Sequence, residues 1–151
     1  MTEEIKEIAI RRINIGDYEE IISLWRKCGL KIEIDGADSF NSIKKSLELM
    51  PQLHIVAEDK GLIVGVIIGS YDYRKGYLHR LAIKKEYRRR GIAKKLMNYA
   101  EAELIKLGAK RIDGLIFKEN SISKSLLKKM GYEPAHNVTY FTKSIVRHKG
   151  R

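Results

Sequence analysis

Cysteine is almost absent from this sequence: Cys28 is the single one in 151 residues. One thiol excludes an internal disulfide and any metal cage built on cysteine pairs. Proline occurs only at Pro51 and Pro134, so few positions forbid helix or central strand. No apolar run approaches the ~20 residues a membrane helix needs; the longest is Leu62–Gly69. Met1–Glu7 is polar and acidic, so no secretory leader is expected there and the cytoplasm is the expected location. Acids are scarce beside bases, 19 against 30, giving a net charge of +11. That balance bears on partners and not on fold. It would draw an anionic cofactor, a nucleic acid or an acidic protein. Lysine-rich helix faces that serve only solubility are the plain alternative.

The apolar share of 44% and charged share of 32% describe a globular chain long enough to bury a core. We read one domain over residues 1–151, with 147–151 a frayed basic tail. Ile8–Ile13 reads as a first strand. Asp17 opens a helix, with Glu20 in capping-box position, whose stripe is Tyr18, Ile21, Ile22, Trp25 and Cys28. Asp38 is placed to cap a second helix, Ser39–Met50, which Pro51 stops. Leu53–Glu58 and Leu62–Asp72 form a hairpin about Asp59-Lys60-Gly61. Tyr77–Lys84 alternates, with Tyr77, His79, Leu81 and Ile83 on one face and Leu78, Arg80 and Ala82 on the other. A helix between Gly91 and Gly108, a strand Lys110–Phe117, a helix from Asn120 or Ser121 to Met130 and a last strand Val138–Val146 complete the chain. The pattern predicts a mixed α/β (α+β) domain on a mostly antiparallel sheet of about six to seven strands, flanked by about four helices.

The most informative stretch joins the Tyr77–Lys84 strand to the helix that opens at Gly91. It reads Arg88-Arg89-Arg90-Gly91-Ile92-Ala93-Lys94. Glycine lets the backbone turn tightly and a ligand approach it. A helix N-terminus offers free N–H groups and a partial positive charge, which suits a phosphate. The arginines add field and donors. A basic loop ahead of a surface helix would read the same way, so the neighbouring segments must decide. Elsewhere, Trp25 could wall a substrate pocket or simply pack in the core. Glu33 and Asp35 could hold a cationic amine or be a solvated loop. Tyr71 stands with them as an acceptor-side candidate.

With strand, turn and helix in place, the chain resembles the GNAT superfamily of N-acetyltransferases over nearly its whole length. Leu81-Ala82-Ile83 followed by Arg88-x-x-Gly91-x-Ala93 is similar to the family's signature after its fourth strand. Asn120-x-x-Ser123-x-x-Leu126, closing with Lys129-Met130-Gly131-Tyr132, is similar to its later helix. The opening Asp17–Leu30, with Tyr71-Asp72, resembles the small stand-alone YpeA-type members.

The resemblance implies acetyl-CoA as cosubstrate and no metal. Backbone N–H groups of Arg89, Arg90, Gly91, Ile92, Ala93 and Lys94 would cradle its pyrophosphate. Arg88, Arg89, Arg90 and Lys94 would meet phosphates by charge. The Leu81, Ala82 and Ile83 backbone would pair with the pantetheine arm like an added strand, and an N–H there would polarise the thioester carbonyl. Asn120 and Ser123 would meet the arm from the other side, although Asn120 also suits a plain helix cap. A primary amine would attack directly in a ternary complex, helped by a base. His79 is the candidate, at the place where some members carry a catalytic histidine. Its ordinary pKa lies near working pH. It could equally pack at the sheet surface. Tyr77 stands where other members carry a glutamate base.

One departure is plain. Leu127 occupies the position at which the family offers a tyrosine to protonate the departing thiolate. Tyr132, Tyr140 or water would have to serve. The alternative function is therefore a regulatory module that binds acyl-CoA with little or no transfer. No aromatic-plus-basic signature for RNA appears, so nucleic acid is not the favoured partner despite the charge. The expected partner is an amine acceptor, small molecule or protein, with no membrane; a monomer and a homodimer both fit.

Overall fold

The computed structural model describes residues 8–115 and 124–146. Five strands make one sheet in chain order: β1 (Ala9–Arg12), β2 (His54–Asp59), β3 (Leu62–Tyr71), β4 (Gly76–Ile83) and β5 (Ile112–Gly114). The first four pair antiparallel and β5 runs parallel to β4. The mixed, mostly antiparallel α+β class is the one expected. The helices are α1 (Tyr18–Lys27), α2 (Phe40–Leu49), α3 (Ile92–Leu107) and α4 (Lys124–Lys129).

Two apolar layers hold the sheet. Ile55, Ala57, Val64, Ile67, Leu78, Leu81 and Ile83 face Ile92, Leu96, Met97, Ala100 and Leu104 of α3. Val56, Val66, Ile68 and Ala82 share the other layer with Tyr18, Ile21, Ile22, Leu24 and Trp25 of α1 and Leu47 of α2. Glycines let α3 sit close. A Cβ at Gly65 would stand 3.0 Å from both Ile83 Cδ1 and Leu96 Cδ1. At Gly76 it would stand 2.7 Å from Leu104 Cδ1. The helix is thereby seated near both ends, which aims its N-terminus at the end of β4.

Several expectations need correction. The sheet has five strands among the described residues, fewer than the six to seven expected. Val138–Val146 forms no strand, and Val138, Tyr140, Phe141 and Ile145 are exposed. Its alternation gives it strand propensity, but a strand forms only against a partner. The Lys110–Phe117 strand is formed over Ile112–Gly114, and its end at Phe117 lies outside the described residues, as do Asn120 and Ser121.

The capping roles also moved. A short 3-10 turn, Ile15–Asp17, precedes α1, and Asp17 Oδ2 accepts the Asn14 N–H at 2.9 Å. Glu20 leaves the expected box and accepts the Ile63 N–H at 2.8 Å. Ser39, not Asp38, caps α2 by accepting the Ser42 N–H at 3.1 Å. Glu20 thus leaves a local cap for a backbone partner on β3.

Candidate active site

β4 carries a bulge. Val66 pairs with Ala82 but Ile68 pairs with His79, so β3 spans two steps where β4 spans three. Arg80 takes the extra turn with φ 57°, a left-handed backbone rare outside glycine. The bulge resets the faces. Leu78, Leu81 and Ile83 all enter the α3 layer, so the expected face shared by His79 and Leu81 does not form. Among the described residues, the pairing of β4 with β5 lies just before the bulge. It covers Gly76–Leu78 against Ile112–Gly114, with a last Leu115 N–H to Leu78 carbonyl bond of 2.9 Å. Beyond it the described parts of the two strands share no further pairing, and β4 runs on to the turn before α3.

That turn is tightly wound. Arg89 (φ 64°) and Gly91 (φ 80°) are both left-handed. Gly91 is the N-cap of α3 and supplies no side-chain cap, so the helix dipole meets solvent unblunted. A Cβ at Gly91 would meet nothing within 4 Å. Arg89 and Lys94 are exposed. Arg88 is used inward instead: its Nε donates to the Ile83 carbonyl at 3.0 Å and its Nη2 to Cys28 Sγ at 3.7 Å. Cys28 Sγ donates to the same carbonyl at 3.5 Å. The Ile83 carbonyl thus already has partners within the protein. Arg90 lies over the Tyr87 ring at 4.9 Å.

His79 is half-buried beside the bulge. Burial, then the neighbouring Arg80 charge, then His54, hold its pKa down from 6.5 to about 4. It is neutral at working pH, but a weaker base than its ordinary value suggests. His54 pairs with Ile68, which pairs with His79, so the two histidines flank one isoleucine on one face. His54 Nδ1 donates to the Met50 carbonyl at 2.7 Å, which leaves Nε2 to accept from Ser46 Oγ at 2.7 Å. Burial lowers the His54 pKa, opposed by the Met50 bond.

The remaining candidates are spread out. The Tyr77 hydroxyl donates to Asp72 Oδ2 at 3.2 Å, next to Lys75. Tyr132 is turned to α3, where its hydroxyl donates to Glu101; burial and then Glu101 raise its pKa strongly. Such a phenol is a poor proton donor to a thiolate. Tyr140 is exposed and belongs to no element. Leu127 packs against the α3 layer. Trp25 is only 1% exposed, so it is core and walls no pocket directly. Tyr71 packs in the α3 layer with its hydroxyl 3.1 Å from where a Gly108 Cβ would be, at the opposite end of α3 from Gly91. Glu33 and Asp35 lie on the loop before α2, Asp35 exposed and Glu33 half-buried. Asn120 and Ser123 lie outside the described residues.

Sequence reasoning missed Arg80 and Asp38 as a pair. Arg80 Nη2 meets Asp38 Oδ2 at 2.6 Å. The available signal was a charge on the inward-facing register of β4, which needs a buried carboxylate. Assigning Asp38 to the α2 cap hid the partner. Among the described residues no cluster of three or more His, Cys, Asp or Glu could hold a metal, and no helix is long and apolar enough to cross a membrane.

A bulged fourth strand thus leads through a left-handed basic turn into a long helix. Residues 18–132 match the model of the acetyltransferase (GNAT) family. The chain is 34% identical over 137 residues to the acetyltransferase SG1711 of Sodalis glossinidius (strain morsitans), covering 91% of this chain and 95% of that one. The chain belongs to the GNAT family of acetyltransferases. Solved structures agree on the fold. An aminoglycoside acetyltransferase, AAC(6')-Iy in complex with the bisubstrate analog CoA-S-monomethyl-acetylneamine, superposes with TM-score 0.71 at 18% identity, covering 91% of this chain and 98% of that one. A predicted acetyltransferase with acetyl-CoA from Clostridium acetobutylicum gives 0.67 at 16% identity, with 89% and 96% covered.

Proposed function

We propose that the chain moves an acetyl group from acetyl-CoA to a primary amine by direct attack in a ternary complex. The observation that carries this reading is the coincidence of two features along one strand. The bulge lies at Arg80 of β4, and the uncapped α3 N-terminus lies at the end of the same strand. Backbone N–H groups from Arg89 to Lys94 would hold the pyrophosphate, aided by Arg89 and Lys94. Leu81 and Ala82 are assigned to the pantetheine arm on resemblance alone. Bulge N–H groups would bind the thioester oxygen as negative charge develops on it. Asn120 and Ser123 are assigned to the far side of the arm on resemblance alone.

The amine nitrogen would attack the carbonyl carbon, the C–S bond would break, and the amine would lose a proton while the thiolate gained one. His79 is the proposed acceptor of the amine proton, as a neutral imidazole beside the bulge. Tyr77 is held by Asp72 and is assigned no proton. With Leu127 packed away and Tyr132 tied to Glu101, water is the proposed donor to the thiolate. Glu33 and Asp35 would favour a cationic acceptor approaching from the loop before α2. Trp25 acts beneath the site and Tyr71 outside it.

Calorimetric titration with acetyl-CoA, CoA and ATP tests the cofactor. Selective binding of the CoA compounds supports the reading; equal binding of ATP makes the turn a generic anion patch and overturns it. Leu127 favours a second reading, an acyl-CoA-binding module with little transfer. Tight acetyl-CoA binding with no thiol release across a panel of amines would select it.

A further inference from the structure

We propose that Arg80 is a positioning residue that locks the loop before α2, residues 31–38, to the bulge in β4. Loading the donor strand then also fixes the acceptor-side wall. This rests on the acetyl-transfer reading above. A left-handed arginine inside a strand persists only where its surroundings over-determine it, and here they do. The Arg80 carbonyl accepts the Trp25 Nε1–H at 3.0 Å, and its guanidinium lies over the Trp25 ring at 5.2 Å. Nη1 donates to the Lys31 carbonyl at 3.0 Å and Nη2 to Asp38 Oδ2 at 2.6 Å. Asp38 is itself anchored: Oδ2 also accepts the Glu33 N–H at 2.9 Å, and its carbonyl accepts the Tyr18 hydroxyl at 2.6 Å.

Both ends of the loop therefore finish on one guanidinium. A planar fork can hold two acceptors in fixed directions; an ammonium cannot. The Asp38 side chain is 5% exposed and that of Arg80 18%, so water cannot readily replace either partner. The bulge and the loop cannot move separately. His79 immediately precedes Arg80 and is aimed by the same backbone. A ligand that stiffens the bulge must stiffen the loop, and the reverse also holds.

The Lys31–Ile32 bond reports the lock, because Lys31 is exposed and trypsin cuts after it. In the native chain, saturating acetyl-CoA is expected to slow that cut at least about fivefold. In Arg80→Lys the cut is fast without ligand and acetyl-CoA no longer slows it, while calorimetric affinity for acetyl-CoA stays within about threefold. With spermidine and poly-L-lysine as acceptor probes, kcat for thiol release falls about 10- to 100-fold and KM for acetyl-CoA stays within about threefold. Equal ligand protection in both proteins overturns the lock, as does a loss of acetyl-CoA affinity in step with kcat. If the native chain does not bind acetyl-CoA, the transfer reading fails. The lock is then judged by the ligand-free cut alone, faster in Arg80→Lys if it exists and unchanged if it does not. Should Arg80→Lys fail to fold, Asp38→Asn carries the same comparison.

Discussion

His79 is a residue whose chemistry changes markedly on folding. Its pKa falls from 6.5 to about 4 because burial and the Arg80 charge oppose a second positive charge. The unfolded chain therefore takes up a proton that the folded one refuses between those values. Stability from this group is complete above pH 6.5 and is lost as pH falls toward 4. Urea melts at pH 7 and pH 4.5 should differ less in His79→Gln than in the native chain. The same shift removes any rate limb of His79 near pH 6.5; the rise of the pH–rate profile should follow the acceptor amine instead. His79→Ala is expected to lower transfer about 100-fold with acetyl-CoA affinity unchanged, and an unchanged rate would take His79 out of the mechanism. Gly91 allows a second test. Its φ of 80° and open surroundings mean that Gly91→Glu puts strain and a negative charge where pyrophosphate is proposed to bind. Acetyl-CoA binding should weaken more than about 100-fold, read by calorimetry.

At the scale of elements, α3 matters most, because its seat sets where its N-terminus points. Gly76→Ala would push a methyl into the buried Leu104 side chain and should cost about 1–3 kcal/mol in a denaturant melt. Adding Leu104→Val should return part of that loss. How legible the elements were follows from the same physics. Strands with regular alternation and helices bounded by Gly, Ser or Pro were readable, because local chemistry fixes both ends of α2 and α3. The bulge was not. Nothing in Tyr77–Ile83 marks an extra residue, since Arg80 is held left-handed by Trp25, Lys31 and Asp38, all distant in sequence. That single insertion moved His79 off the face of Leu81. The turn into α3 was legible because its chemistry is local: a glycine and a helix start. The Arg80–Asp38 pair was not, because Asp38 had been given the α2 cap and Arg80 no partner.

For the whole molecule, the net charge of +11 should make acetyl-CoA association fall with ionic strength. Stopped-flow rates at about 50 and 500 mM salt should separate by several-fold, with dissociation changing less. The proposed pairing of acetyl-CoA with β4 has a further consequence. A strand backbone that takes pantetheine would also take an extended peptide of a neighbouring molecule. Empty protein should thus be the colloidally vulnerable form. Concentrated stocks should cloud or form higher oligomers sooner without CoA than with it, so that in storage the cosubstrate would act as a preservative.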